Sequence, residues 1–266
     1  MLGRLADAQP GLPQDNLGLP VLVTLSNGNT GSGFFIEDAR FLYLVTAKHV
    51  LFDPVSHALL APSLRLLSYS KDLTDSTPNS ETLDLFALQR SGNIKPHPSE
   101  DVVVVKAFSL RMVEGKRRTF PEPGVTFVRQ STEGLVTASV ESVTSFKDVQ
   151  IGDDVIVFGY PTSLGLQQMP QLDTSRPLLR KGIVAGTNPQ TKSLILDSPS
   201  YFGNSGGLVM ELVRAYQVTL LRIIGVVVSF VPFVQAGASQ TFAFQMASNS
   251  GYSIAVPMDF VLELIR

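Results

Sequence analysis

Tyr201-Phe202-Gly203-Asn204-Ser205-Gly206-Gly207 is the stretch of this chain whose residue types and spacing most plainly suggest chemistry. A serine stands among three glycines, and the apolar run Leu208-Val209-Met210 follows at once. Glycine admits backbone conformations and close approaches that a β-carbon blocks. A serine on such a turn can present its hydroxyl while neighbouring N–H groups converge on one point. Acyl transfer asks for that arrangement around its nucleophile. A glycine-rich hairpin turn holding an ordinary serine has the same local sequence, so the choice between them lies elsewhere in the chain.

A hydroxyl nucleophile needs a base. The chain has three histidines, His49, His57 and His97, and all of them precede Ser205. Gly203 to Gly207 also fits the G-x-S-x-G turn of α/β-hydrolases, but those enzymes carry their histidine after the serine. That reading is excluded, and the order base, acid, nucleophile remains. His49 lies in Thr46-Ala47-Lys48-His49-Val50, at the end of a predicted strand where an imidazole is rigidly held. Asp101 heads the run Val102 to Val105. A carboxylate beside such apolar walls needs a donor, and an imidazole N–H would serve. Taken singly, a strand-end histidine is an ordinary structural residue and an aspartate before a strand an ordinary turn residue. His57 and His97 fall in polar, proline-containing loops and read as bystanders. No histidine pair has the spacing of a metal site such as H-E-x-x-H, so neither metal nor cofactor is expected.

The elements that would hold these residues are many short strands. Val21 to Leu25, Gly31 to Ile36 and Phe41 to Val45 come first, then Leu64 to Tyr69, Thr82 to Leu88 and Val102 to Val105. Val125 to Val128, Leu135 to Val143, Val155 to Phe158, Gly182 to Gly186 and Ser193 to Leu196 follow. Gly207 to Met210, Leu220 to Ser229, Thr241 to Phe244 and Ser253 to Val256 complete the set. Pro257 suits the opening of a helix in which Phe260, Val261, Leu264 and Ile265 share a face. Many strands, one terminal helix and no βαβ rhythm predict an all-β protein of two barrels or sandwiches. The expected layout is an arm over 1–19, a first barrel over 20–115 and a basic, Pro/Gly-rich linker over 116–134. A second barrel over 135–256 and a helix over 257–266 complete it.

Composition narrows the partners. With 44% hydrophobic and 17% charged residues among 266, the chain has the makings of a packed globular protein. A net charge of −2 offers no electrostatic case for nucleic acid or an anionic membrane. Cysteine is absent, so there is neither disulfide framework nor thiol nucleophile. The N-terminal residues contain no continuous apolar segment, and the expectation is no signal peptide and a cytoplasmic protein. Arg222, Gly225, Ser229 and Pro232 interrupt the most apolar stretch, Leu220 to Val234, which falls short of the roughly 20 residues of a membrane helix.

Taken together, these motifs resemble the trypsin-like serine peptidases, and among them the bacterial high-temperature-requirement type. The resemblance rests on Gly31-Ser32-Gly33-Phe34 leading to Thr46-Ala47-Lys48-His49-Val50, on Asp101-Val102-Val103-Val104, and on Gly203 to Gly207. Weaker echoes are Gly159-Tyr160-Pro161, Lys181-Gly182-Ile183-Val184 and Ser253-Ile254-Ala255-Val256-Pro257. It implies two six-stranded antiparallel barrels with the site between them. Ser205 would be the nucleophile, His49 the general base and then acid, and Asp101 the group that orients the imidazole. The backbone N–H groups of Gly203 and Ser205 would form the oxyanion hole. Asn204 departs from digestive-type relatives, whose aspartate at this position pairs with a freshly cleaved N-terminus; activation by such cleavage is therefore not expected. No PDZ-like domain is expected after the helix. The resemblance assigns the walls of the specificity pocket to Pro199, Ser200, Tyr201 and Phe202, to Gly225, Val226, Val227 and Val228, and to the segment before Tyr252. Without an acid among them, cleavage of a polypeptide substrate after small or medium apolar residues is expected. The alternative is a trypsin-like fold that acts as a regulated or inactive protein-binding module.

Overall fold

The computed structural model describes residues 14–70, 77–129, 134–162, 168–215, 218–238 and 243–266. A hairpin opens the first unit. β1 (Pro20–Leu25) and β2 (Thr30–Glu37) are joined through Gly28 at φ +92°. The next turn, into β3 (Phe41–Thr46), is tied by Asp38 Oδ1, which accepts the N–H groups of Arg40 and Phe41. One helical turn, α1 (Lys48–Leu51), follows β3. Then come β4 (Ser63–Ser68), β5 (Asn79–Asp84), the short helix α2 (Leu85–Arg90) and β6 (Ile94–Pro96). β7 (Val103–Val113), β8 (Lys116–Pro121), β9 (Val125–Arg129) and β10 (Ala138–Ser139) complete the first sheet.

Its pairing order is β6-β7-β3-β2-β1-β4-β5-β9, with β8 added to β7 and β10 lying parallel to β2. The second unit is a closed six-stranded barrel. It is built from β11 (Asp154–Gly159), β12 (Leu178–Asn188), β13 (Ser193–Asp197), β14 (Leu208–Ala215), β15 (Val218–Ala238) and β16 (Ala243–Pro257). α3 (Met258–Ile265) then folds back on β7 of the first sheet. Val102 to Val105 are all buried for this reason: Phe260 and Val261 of α3 join the hydrophobic cluster that contains them. The interior of the closed barrel is a second cluster, around Val155, Val157, Leu194, Leu196, Val209 and Val227.

The mostly β fold in two curled sheets with a terminal helix agrees with the expected fold class. Its details depart in five places. The first sheet has ten strands among the described residues rather than six. The stretch expected as a linker, 116–134, holds β8 and β9, which pair with β7 and β5. β8 is almost wholly exposed, so backbone pairing rather than apolar burial makes it a strand, and its polar composition concealed it. The strand expected through Leu88 stops at Asp84, whose carboxylate accepts the Ala87 N–H at 2.9 Å and caps α2. Within the expected strand 135–143, Ala138–Ser139 pairs with β2 of the first sheet and Val143 makes a single bridge to Ile223 of β15. Of the strand expected over 241–244, residues 241 and 242 lie outside the described residues. The rest is part of β16, which runs on through the expected strand 253–256.

Candidate active site

β3 pairs with β7 so that Thr46 lies opposite Val103, and this brings the loop before β7 against the chain leaving β3. His49 stands in the single turn of α1 rather than at a strand end. Asp101 Oδ2 lies 2.6 Å from His49 Nδ1, and Asp101 Oδ1 accepts the His49 backbone N–H at 2.9 Å. The Asp101 carbonyl accepts the Lys48 N–H at 3.3 Å. The carboxylate therefore grips one residue by both its main chain and its ring. With Nδ1 donating to the carboxylate, Nε2 is the ring's free acceptor. His97 is buried and structural: its Nδ1 accepts the Glu100 N–H at 3.0 Å, and Nε2 lies 3.3 Å from Glu263 of α3. His57, at φ +55°, is exposed. With His49, Lys48, Phe52 and Asp101 it lines a cavity of about 240 Å³.

The serine turn is wedged between the first sheet and the closed barrel. Gly203 and Gly206 adopt φ of +94° and +87°, a region that favours glycine. A β-carbon on Gly206 would lie 2.0 Å from the Ser32 carbonyl oxygen and 2.3 Å from Thr46 Oγ1. One on Gly203 would lie 2.3 Å from Tyr160 O, and one on Gly207 2.3 Å from Phe158 O. A β-carbon on Gly31 would meet Val50 at 2.8 Å and Ser205 O at 3.3 Å, so Ser205 and α1 press on the same glycine. Among the described residues, no hydrogen bond joins His49 Nε2 to Ser205 Oγ. The N–H groups of Asn204, Gly206 and Gly207 donate to Tyr201 O, Val227 O and Asn204 O at 2.9, 2.7 and 2.8 Å. Those of Gly203 and Ser205 have no acceptor among the described residues, and these are the two expected to form an oxyanion hole. Asn204 is 3% exposed, and its Oδ1 has no hydrogen-bond donor among the described residues.

The expected pocket residues do not all share one surface. Ser200 is buried, and its carbonyl accepts from Asn249 Nδ2 at 2.5 Å. Tyr201 lies under the Arg180 guanidinium at 4.7 Å. Phe202 is 75% exposed and meets Phe230 edge-on at 6.2 Å. Pro199 is half-buried beside them. Gly225 faces Val256 O and Ala255 in the β15–β16 pairing. Val226 and Val227 are both fully buried, but in different clusters, because successive strand residues point to opposite faces. Val227 belongs to the closed barrel's core, so the continuous apolar wall expected from Val226, Val227 and Val228 is not formed. Past these residues, β15 and β16 run on as a ribbon bearing half-exposed Phe233, Val234, Phe244 and Met246. No charged residue occurs between Arg222 and Asp259. In the sequence Ser32 stands out only as part of the Gly31-to-Phe34 motif, with no role of its own; its N–H and hydroxyl both reach the serine turn.

Two curled β-sheets meeting along a seam, with a His–Asp pair on one and a serine on a glycine turn of the other, define the chymotrypsin-like serine peptidase fold. The family model described as "Trypsin-like peptidase domain" matches residues 31–213, more than half of the chain. This chain belongs to that family, one of serine endopeptidases. Its fold is shared with "HtrA-type protease AlgW with tripeptide" at TM-score 0.52 and 16% identity, over 96% of this chain and 62% of that one. The chain thus spans about three fifths of the AlgW chain. "Crystal structure of Deg5" matches at TM-score 0.52 and 17% identity, over 94% of this chain and 88% of that one. A thermostable serine protease, AL20, from an extremophilic microorganism matches at 0.53 and 11%, over 94% and 96%. At these identities the likeness is one of fold. Among curated protein sequences nothing matches.

Proposed function

We propose that this chain hydrolyses peptide bonds within polypeptides through an acyl-enzyme formed on Ser205, without metal or cofactor. Ser205 Oγ attacks the carbonyl carbon while His49 Nε2 takes the hydroxyl proton. Asp101, on Nδ1, keeps the ring in the tautomer that can accept it and stabilises the imidazolium. The Gly203 and Ser205 N–H groups receive the negative oxygen, an interaction worth roughly 3–4 kcal/mol per donor. His49 then returns the proton to the leaving amine, and water reverses the sequence to release the acid. The observation that carries this reading is the 2.6 Å Asp101–His49 contact, in the same seam as a serine turn whose Gly203 and Ser205 N–H groups have no acceptor among the described residues. Cleavage after small or medium apolar residues is supported by the absence of any acid in Pro199 to Phe202 and Gly225 to Val228.

One observation favours a second reading, a trypsin-like fold that binds protein without cutting it: the missing His49–Ser205 hydrogen bond. Such bonds tighten when substrate binds. A fluorophosphonate probe separates the readings. The native chain is expected to be labelled and to cut a peptide library after apolar residues, and Ser205→Ala to do neither. No labelling and no cleavage by the native chain would overturn the peptidase reading, and cleavage mainly after Arg or Lys would overturn the specificity.

A further inference from the structure

Four consecutive peptide planes make up the serine turn, and the two whose N–H groups have no acceptor among the described residues alternate with two that are held from across the seam. The 202–203 plane carries the Gly203 N–H and the 204–205 plane carries the Ser205 N–H. The 203–204 plane presents its carbonyl to the Ser32 hydroxyl, which donates to Gly203 O at 2.7 Å. The 205–206 plane presents its carbonyl to the Ser32 backbone, whose N–H donates to Ser205 O at 2.8 Å. Both hydrogen bonds that reach this turn from the first sheet, among the described residues, come from Ser32. The residue is wholly buried. Its own position is set on two sides: Oγ accepts the Tyr160 N–H at 2.8 Å, and its carbonyl accepts from Thr46 Oγ1 at 2.7 Å. Thr46 is three residues before His49, so one chain of hydrogen bonds links the histidine segment to the serine turn.

We propose that Ser32 is a positioning residue that holds the oxyanion-binding turn in its working conformation. This rests on the peptidase reading above and assigns one more residue to it. The physical need is plain. Gly203 has no β-carbon and a positive φ, so little intrinsic preference opposes rotation of its adjoining peptides. Asn204, a neutral amide, brings no ion pair that could stop the rotation. Its side chain is packed instead against Gly159, where a β-carbon would lie 2.9 Å from Asn204 Oδ1 and 3.3 Å from Ser32 Oγ. The Ser32 hydroxyl fixes the plane between the two donors, and its N–H fixes the plane beyond them. The Asn204 N–H also holds the first of these planes through Tyr201 O at 2.9 Å, so removing the hydroxyl loosens the turn without dissolving it.

The test is Ser32→Ala in the full chain, with kcat, KM and affinity for a peptide boronate measured beside the native protein. The boronate forms a tetrahedral adduct on Ser205 that places an oxygen where the oxyanion develops. The expected result is a fall in kcat of about tenfold to a hundredfold, less than the roughly 10²–10³ for outright loss of an oxyanion donor. KM stays within about threefold, since ground-state binding does not use the turn's N–H groups. Boronate affinity falls in step with kcat/KM, and peptide affinity measured on a Ser205→Ala background is unchanged. A purely structural role would move all four readouts with the unfolding temperature. Where Ser32→Ala does not fold, Ser32→Cys, with its weaker S–H donor, is expected to show the same split at smaller size. A native-like kcat and boronate affinity in the folded variant would overturn the role of Ser32 while leaving the peptidase reading intact. A native chain that neither labels nor cuts would overturn both.

Discussion

Replacing Glu81 by glutamine should remove a pH-dependent loss of stability that the native chain suffers between about pH 5 and pH 8. Glu81 lies in β5, opposite Leu66 of β4 and Phe127 of β9, and shares the inward face with Leu83. It is fully buried, and neither carboxylate oxygen has a hydrogen-bond partner among the described residues. Burial disfavours the charged form and pushes the carboxyl from its ordinary 4.5 up to about 8. The folded chain therefore keeps this proton to about pH 8, whereas the unfolded chain releases it near 4.5. Between those values the unfolded state binds fewer protons, so stability falls as pH rises. At about 1.4 kcal/mol per pH unit, the loss reaches about 3 kcal/mol at pH 7 and about 5 kcal/mol above pH 8. Glutamine has the shape of the protonated acid and no proton to lose. Urea unfolding at pH 4.5, 7 and 9 should show Glu81→Gln equal to the native chain at the lowest pH. The variant should then be more stable by about 3 and about 5 kcal/mol at the higher two. Groups common to both chains cancel in the difference. Unfolding curves that stay parallel across all three pH values would refute the burial of a protonated carboxyl.

Two further outcomes follow from the seam. Asp101→Asn offers an amide where two acceptors are needed, so the ring no longer keeps its proton on Nδ1, and kcat/KM should fall by about 10⁴-fold; a fall under tenfold would show that Asp101 does not orient His49. Gly206→Ala would drive a β-carbon to 2.0 Å from Ser32 O at a φ of +87°, and should abolish fluorophosphonate labelling. It should also destabilise the chain by at least about 1–3 kcal/mol from backbone strain alone, read from thermal or urea unfolding.

Much of the seam was legible because its motifs are short and contiguous. Gly203 to Gly207 announces a turn, Asp101 with its valines a buried strand start, and the position of every histidine before Ser205 excluded one whole fold. The less legible parts depend on strand pairing. β8 is polar and exposed, so no periodicity distinguishes it from a linker, and only its partner β7 makes it a strand. Val226 and Val227 are both apolar, and which of them faces the barrel interior depends on the register of β15 against β14 and β16.

From the chain alone came the residue types capable of acyl transfer, their order, and the all-β character, because each is written locally in side-chain chemistry and spacing. The meeting of those residues is a property of the folded protein. Asp101 reaches both the ring and the main chain of His49 only because β3 and β7 are neighbours. The Ser205 turn lies beside α1 only because glycines at 31 and 206 let the two sheets close to contact. Ser32 illustrates the difference most sharply: its neighbours in sequence are two glycines, and its partners, Gly203 and Ser205, lie more than 170 residues away.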